Sequence, residues 1–161
     1  MRIGIGYDIH PLAPDRPLVL GGVELDHHLG LYGHSDADAL VHALCDAILG
    51  ALALGDLGEH FPGTPEFEGI SSLVLLERTA ALAAAEGYVL ANADCVVHAE
   101  RPNISGRRRE MERRMAGAAG VDPGAVSVKA TRGEGMGPVG EGRAIAAQAV
   151  VLMRRAEEDG R

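Results

Sequence analysis

The stretch SDADALVHALCDAILGALAL, residues 35–54, decides the fold class. Leu40, Val41, Leu44, Ile48 and Leu52 recur at helical spacing, and Ser35 stands where an N-cap accepts from the first free amides, so the spacing predicts a helix over 36–54. Solvated helix faces carry Lys and Glu, and this segment has neither, so the helix is expected to be buried except for one polar stripe. On its N-terminal side, Met1 to His10 places Ile3, Ile5, Tyr7 and Ile9 on one face and reads as a strand ended by Pro11 and Pro14. Pro17 to Leu25, bent at Gly21-Gly22, reads as a second strand paired with the first. On the other side, Gly55 to Gly69 reads as a loop, Ile70 to Glu86 as a helix closed by Gly87, and Tyr88 to Ala99 as a strand. A charged helix over Arg107 to Ala119 follows, then a short strand over Ala125 to Ala130, a glycine-rich loop over Thr131 to Gly142 and a last strand over Arg143 to Met153.

Helices set between strands predict an α+β fold with helices on one face of a sheet, in one domain over 1–153, with a polar tail over 154–161. The last strand is apolar on both faces except at Gln148, which reserves its second face for another subunit. A length of 161 residues fits one domain, and 24% charged with 47% hydrophobic residues is the composition of a soluble globular protein. A net charge of −8 argues against nucleic acid or an anionic membrane surface as a partner. Cys45 and Cys95 stand far apart with no CxxC spacing, so a cytoplasmic, reducing home is expected rather than a disulfide framework. No apolar run reaches the roughly 18 residues of a membrane span.

Two clusters carry metal chemistry. Period-two alternation points Asp8 and His10 to one face at a strand end. Asp38, His42 and Asp46 repeat every four residues and share one helix stripe. His42 beside Asp8 and His10 gives two imidazoles and one carboxylate with an open fourth position, the pattern of a catalytic zinc, and Asp46 is expected as the acceptor behind His42. Two glycine-rich segments, Gly55 to Gly58 and Lys129 to Gly137, suit phosphate, with Glu134 available for a hard divalent cation. The basic run Arg107-Arg108-Arg109, with Arg113 and Arg114, reads as an exposed helix paired with Glu110 and Glu112.

In order, RIGIGYDIH (2–10), the run from Leu29 to Thr64 containing HSDAD, His42 and GDLG, AERP (99–102) and VKATRGEGMG (128–137) resemble the 2-C-methyl-D-erythritol 2,4-cyclodiphosphate synthase family of the non-mevalonate isoprenoid route. The resemblance runs from Met1 to about Met153. It implies a two-layer sandwich with a mixed sheet, assembled as a homotrimer with active sites between subunits. It also implies zinc on Asp8, His10 and His42, and magnesium or manganese on Glu134. Substrate contacts are implied for Asp8 and His10 with the methylerythritol phosphate on His34 and Ser35, and for Asp56, Leu57 and Gly58 with Phe61, Pro62, Gly63 and Thr64. The cytidine diphosphate part falls to Ala99, Glu100, Arg101, Pro102, Asn103, Ile104 and Ser105, and to Ala130, Thr131, Arg132, Gly133 and Glu134. His34, Asp56 and Arg132 are the implied catalytic positions.

The implied activity is that of a phosphorus–oxygen lyase acting on 4-diphosphocytidyl-2-C-methyl-D-erythritol 2-phosphate, whose 2-phosphate attacks its own β-phosphate and releases CMP. The sequence departs from the family pattern at Arg132-Gly133, where Thr-Thr is common, at Gly63 for Asp and at Asn103 for Lys. Glu141 and Gln148 stand where some members face the trimer cavity with Arg and Glu. Two other readings are a phosphohydrolase activating water at the Asp8, His10, His42 site, and a non-catalytic nucleotide-binding trimer.

Overall fold

The computed structural model describes residues 1–156. Strands β1 (Arg2–Ala13), β4 (Gly30–Leu31), β5 (Tyr88–His98), β6 (Val126–Thr131) and β7 (Ala144–Arg155) form one sheet in the order β4-β1-β7-β5-β6. β2 (Leu18–Leu20) and β3 (Val23–Leu25) form a separate hairpin. The sheet is mixed: β6 runs parallel to β5, while β7 is antiparallel to both β1 and β5. β1, β5 and β6 therefore run the same way, and their C-terminal ends meet at one edge of the sheet.

The helices are α1 (Ala39–Ala51), α2 (Leu57–His60), α3 (Ser72–Ala85), α4 (Arg108–Ala119) and α5 (Gly137–Gly140). α1 packs on β1 and β7, with α3 beside it and α4 against β6. The core is aliphatic: Leu40, Leu44 and Ile48 from α1 meet Ile145, Ala147, Ala149 and Val151 of β7. Close approach of α1 to β1 depends on Gly4 and Gly6. A Cβ on Gly6 would lie 2.0 Å from the Ala43 carbonyl oxygen, and one on Gly4 1.9 Å from that of Ala47.

Among the described residues no helix covers the opposite face of the sheet. Ile3, Ile5, Tyr7 and Ile9 stand there exposed, with Val150 from β7. This is the apolar second face expected from the last strand.

Several boundaries differ from the sequence reading for local reasons. α1 starts at Ala39 rather than Asp36 because Ala37 adopts a positive φ of 58° and turns the chain, and Asp38, not Ser35, caps the helix by accepting from Val41 N. The Pro17 to Leu25 segment folds back on itself at Gly21-Gly22 instead of pairing with β1, whose outer neighbour is β4. Pro11 lies within β1, which continues to Ala13. Arg154 and Arg155, expected in a tail, pair with Val89 and Tyr88 at the end of β7. Residues 157–161 of that tail lie outside the described residues.

Candidate metal centre and nucleotide cavity

β1 alternation sends Asp8 and His10 toward α1, and the α1 register brings His42 to meet them. Asp8 Oδ2 lies 2.9 Å from His10 Nε2 and 2.9 Å from His42 Nδ1, and the two nitrogens are 3.2 Å apart. A tetrahedral ion about 2.0–2.1 Å from each donor sets donor–donor edges of about 3.3 Å, so this triangle fits a divalent metal. Among the described residues this is the one group of three such donors that converges.

Its electrostatics point the same way. Burial raises the Asp8 carboxyl, but hydrogen bonds and charge from His10 and His42 overcome this and hold it far below the usual carboxylate range. Burial lowers the His10 imidazole, and the hydrogen bond and charge of Asp8 outweigh it, leaving His10 raised. His10 Nδ1 donates to the Tyr32 carbonyl at 2.9 Å. A carbonyl only accepts, so the proton of neutral His10 sits on Nδ1 and Nε2 presents its lone pair to the centre.

Around this triangle, His34, Ser35, Leu57, Phe61 and Gly63 line a cavity of about 160 Å³ together with His10 and His42. His34 Nε2 donates to the Thr64 carbonyl at 2.7 Å, which ties the 61–64 loop to the site. Asp56 caps α2, its carboxylate accepting from Glu59 N at 3.0 Å, and remains exposed.

Two members of the polar stripe read from α1 do other work. Asp38 is fully buried and accepts from the backbone N–H groups of Gly21 (3.0 Å), Gly22 (2.7 Å) and Val41 (3.1 Å), pinning the β2–β3 hairpin to the start of α1. Burial and the nearby Asp36 charge push it up to about 6. Asp46 is not the acceptor behind His42. It takes the Leu57 N–H at 2.8 Å, while His42 Nε2 faces the hydroxyls of Ser72 (2.9 Å) and Ser35 (3.1 Å). Ser72 was missed because it lies 30 residues beyond His42 at the start of another helix, where it reads as an ordinary helix-initiating serine.

A second cavity, about 360 Å³, opens where β5 and β6 end. Its walls are the 99–105 turn and Ala130, Thr131 and Arg132, positions for which the resemblance implies contact with cytidine diphosphate; Gly133 and Glu134, implied with them, do not line it. Arg132 Nε donates to Glu100 Oε1 at 3.0 Å, Nη2 donates to the same oxygen, and this pairing holds the Glu100 carboxyl below its ordinary range. Gly133 packs against α5, where a Cβ would sit 2.4 Å from Gly140 N, so the glycine that departs from the common threonine matches a tightly folded loop. Glu134 is exposed beside it at a positive φ of 50°. Among the described residues the two cavities share no lining residue.

The YgbB family pattern matches residues 1–154. The chain belongs to the YgbB family. Within that family it is 52% identical over 155 residues to the 2-C-methyl-D-erythritol 2,4-cyclodiphosphate synthase of Thermosynechococcus vestitus, covering 96% of both chains. It is 55% identical over 154 residues to the bifunctional enzyme IspD/IspF of Anaeromyxobacter dehalogenans, where it covers 95% of this chain but spans only 40% of that protein. Among solved structures, the YgbB fold seen here matches IspF of Plasmodium falciparum in its CDP complex with a TM-score of 0.85 at 33% identity, covering 96% of each chain.

Proposed function

We propose that this chain cyclises 4-diphosphocytidyl-2-C-methyl-D-erythritol 2-phosphate to 2-C-methyl-D-erythritol 2,4-cyclodiphosphate with release of CMP. The observation that carries the reading is the pairing of a three-donor metal centre with a separate cavity built from the nucleotide segments, in a chain about half identical to synthases of that name. The nucleophile is the substrate's own phosphate, so the protein must neutralise charge and fold a flexible molecule rather than supply an attacking group.

Zinc on Asp8, His10 and His42, and magnesium or manganese on Glu134, would supply Lewis-acid polarisation of the attacked phosphate and charge neutralisation at the diphosphate. The chain's own residues do the rest. Ser35 and His34 hold the phosphorylated end of the substrate beside the triangle, with Asp56 and Gly58 toward its hydroxyls. The 99–105 turn and Thr131 hold the cytidine diphosphate. Arg132 spends two N–H groups on one Glu100 oxygen, which leaves the remainder of its fork for a phosphate oxygen and puts a fixed cation where threonine is common. The apolar walls Leu57, Phe61, Phe67 and Leu75 keep water from the phosphates.

The bare apolar face of the sheet supports a homotrimer, and the lack of a shared wall between the two cavities supports a site completed by a neighbouring subunit. Cys45 and Cys95 are free, as expected in a reducing cytoplasm, and burial pushes each thiol up to about 12. Within the described residues no helix is long and apolar enough to cross a membrane.

The test is incubation of the zinc- and magnesium-loaded protein with the diphosphocytidyl substrate, followed by phosphorus NMR and mass spectrometry. A ring-closed diphosphate with equimolar CMP is expected. Linear phosphate products would replace this reading with hydrolysis, and recovery of intact substrate would leave a nucleotide-binding protein.

A further inference from the structure

Behind His42 stand two residues that line neither cavity, Ser72 and Asp36. Ser72 is fully buried at the first turn of α3, and its Oγ lies 2.9 Å from His42 Nε2. The same hydroxyl donates to Asp36 Oδ1, and the Ser72 backbone N–H donates to Asp36 Oδ2 at 2.9 Å. Asp36 Oδ1 also accepts from Asp38 N at 3.3 Å. Every contact that Asp36 makes through its carboxylate is with a donor, so the group acts throughout as an acceptor and the Ser72 proton points at it. What Ser72 then offers to His42 is a lone pair.

His42 Nε2 must therefore carry a proton and donate it. In a neutral imidazole this leaves Nδ1 bare, and Nδ1 is the atom that faces Asp8 and His10. His10 is fixed in the opposite sense, with its proton on Nδ1 and its lone pair on Nε2. The two histidines need opposite tautomers to converge on one ion, and each has its own dedicated partner.

We propose that Asp36 and Ser72 form a positioning relay that holds His42 in the tautomer presenting Nδ1 to a divalent metal. The proposal rests on the metal centre described above. The competing role, capping of α3, is met by the Ser72 backbone N–H on Asp36 and needs no hydroxyl. A consequence follows for Ser35. Because Nε2 is a donor and Ser35 Oγ also accepts from Ala37 N at 3.1 Å, the Ser35 proton has no use toward His42 and is free for an anionic oxygen in the cavity.

The test uses the full chain with zinc(II) as the only added ligand, in competition with a chromophoric chelator. Ser72→Ala is expected to weaken zinc binding roughly 10- to 100-fold, the usual effect of removing a partner behind a ligating histidine. The melting temperature of its metal-free form should stay close to that of the parent chain, since the cap persists. Nitrogen-15 histidine NMR of the zinc-loaded parent should show a His42 Nε2–H protected from solvent exchange, and that protection should vanish in Ser72→Ala. Equal zinc affinity in the two proteins overturns the relay alone, while a parent chain that binds no zinc overturns the metal centre and the relay with it. Should Ser72→Ala fail to fold, the parent spectrum decides: an Nε2–H exchanging at the solvent rate overturns the relay.

Discussion

At the residue scale the centre is a competition between protons and a metal for the same lone pairs. Asp8 is depressed and His10 raised, so without an ion the carboxylate stays charged while His10 keeps its proton to a higher pH than the ordinary 6.5. A metal must displace that proton, and below the raised pKa each pH unit costs about tenfold in affinity. Zinc affinity measured by chelator competition should therefore keep climbing as pH rises past 6.5 and flatten only above the raised pKa of His10. His42→Ala removes one of three donors and one of the two groups that depress Asp8, so zinc binding should fall beyond detection at micromolar protein while the metal-free fold persists by circular dichroism. Glu134 is on the other side of the proposed chemistry. Glu134→Gln takes a carboxylate from the magnesium end only, so turnover should drop by a factor of roughly 100 or more, the scale seen when a charge-stabilising group is lost. Zinc content by atomic absorption should stay at one per chain. Loss of zinc as well would show that the two ends are not separate.

At the element scale, the centre exists because β1 and α1 lie unusually close, and Gly4 and Gly6 set that distance. Gly6→Ala drives a methyl to 2.0 Å from a backbone carbonyl that cannot swing aside, so strand and helix must part. Overpacking of this kind costs about 3 kcal/mol or more when backbone is what blocks the site. Urea unfolding should report that loss, and zinc affinity should fall with it, since Asp8 and His10 ride on the strand and His42 on the helix. The same two elements show how far the sequence could be read. Alternation in Met1 to His10 and the 3.6-residue repeat from Leu40 to Leu52 are local patterns, and they carried the strand, the helix and the three ligands with them. Asp38 and Asp46 obeyed the same repeat and were misjudged, because periodicity says which face a side chain shares but not which backbone N–H arrives there from elsewhere. Gly21, Gly22 and Leu57 supply those donors across the fold. Ser72 is the converse case: a residue with no distinguishing context until α3 is docked on α1. Around Gly21-Gly22 the apolar residues on both sides fit a single bent strand as well as a hairpin, so the local pattern does not separate the two.

At the scale of the whole molecule, parallel β1, β5 and β6 carry the candidate metal centre and the cavity of about 360 Å³ at their C-terminal ends, with β7 intervening between β1 and β5. The sheet's bare face is too apolar for a lone sheet in water, with Ile3 72% and Ile5 69% exposed. In the proposed homotrimer this face is buried, and one subunit's triangle is completed by the next subunit's cavity. Ile5→Lys should then yield a monomer by analytical ultracentrifugation that still binds zinc but does not turn over. A stronger test mixes two inactive proteins. His42→Ala lacks the metal half of the site and Arg132→Ala alters the cavity half, so each trimer alone should be severely impaired. If the halves come from different subunits, unfolding and refolding an equimolar mixture generates interfaces where an intact triangle faces an intact cavity, about one site in four for random assembly in a closed ring. If both halves belong to the same chain, every site in every mixed trimer carries one lesion, and refolding restores nothing. Recovery of about a quarter of the parent rate above the sum of the two variants would place the site between subunits, and a rate equal to that sum would place it within one.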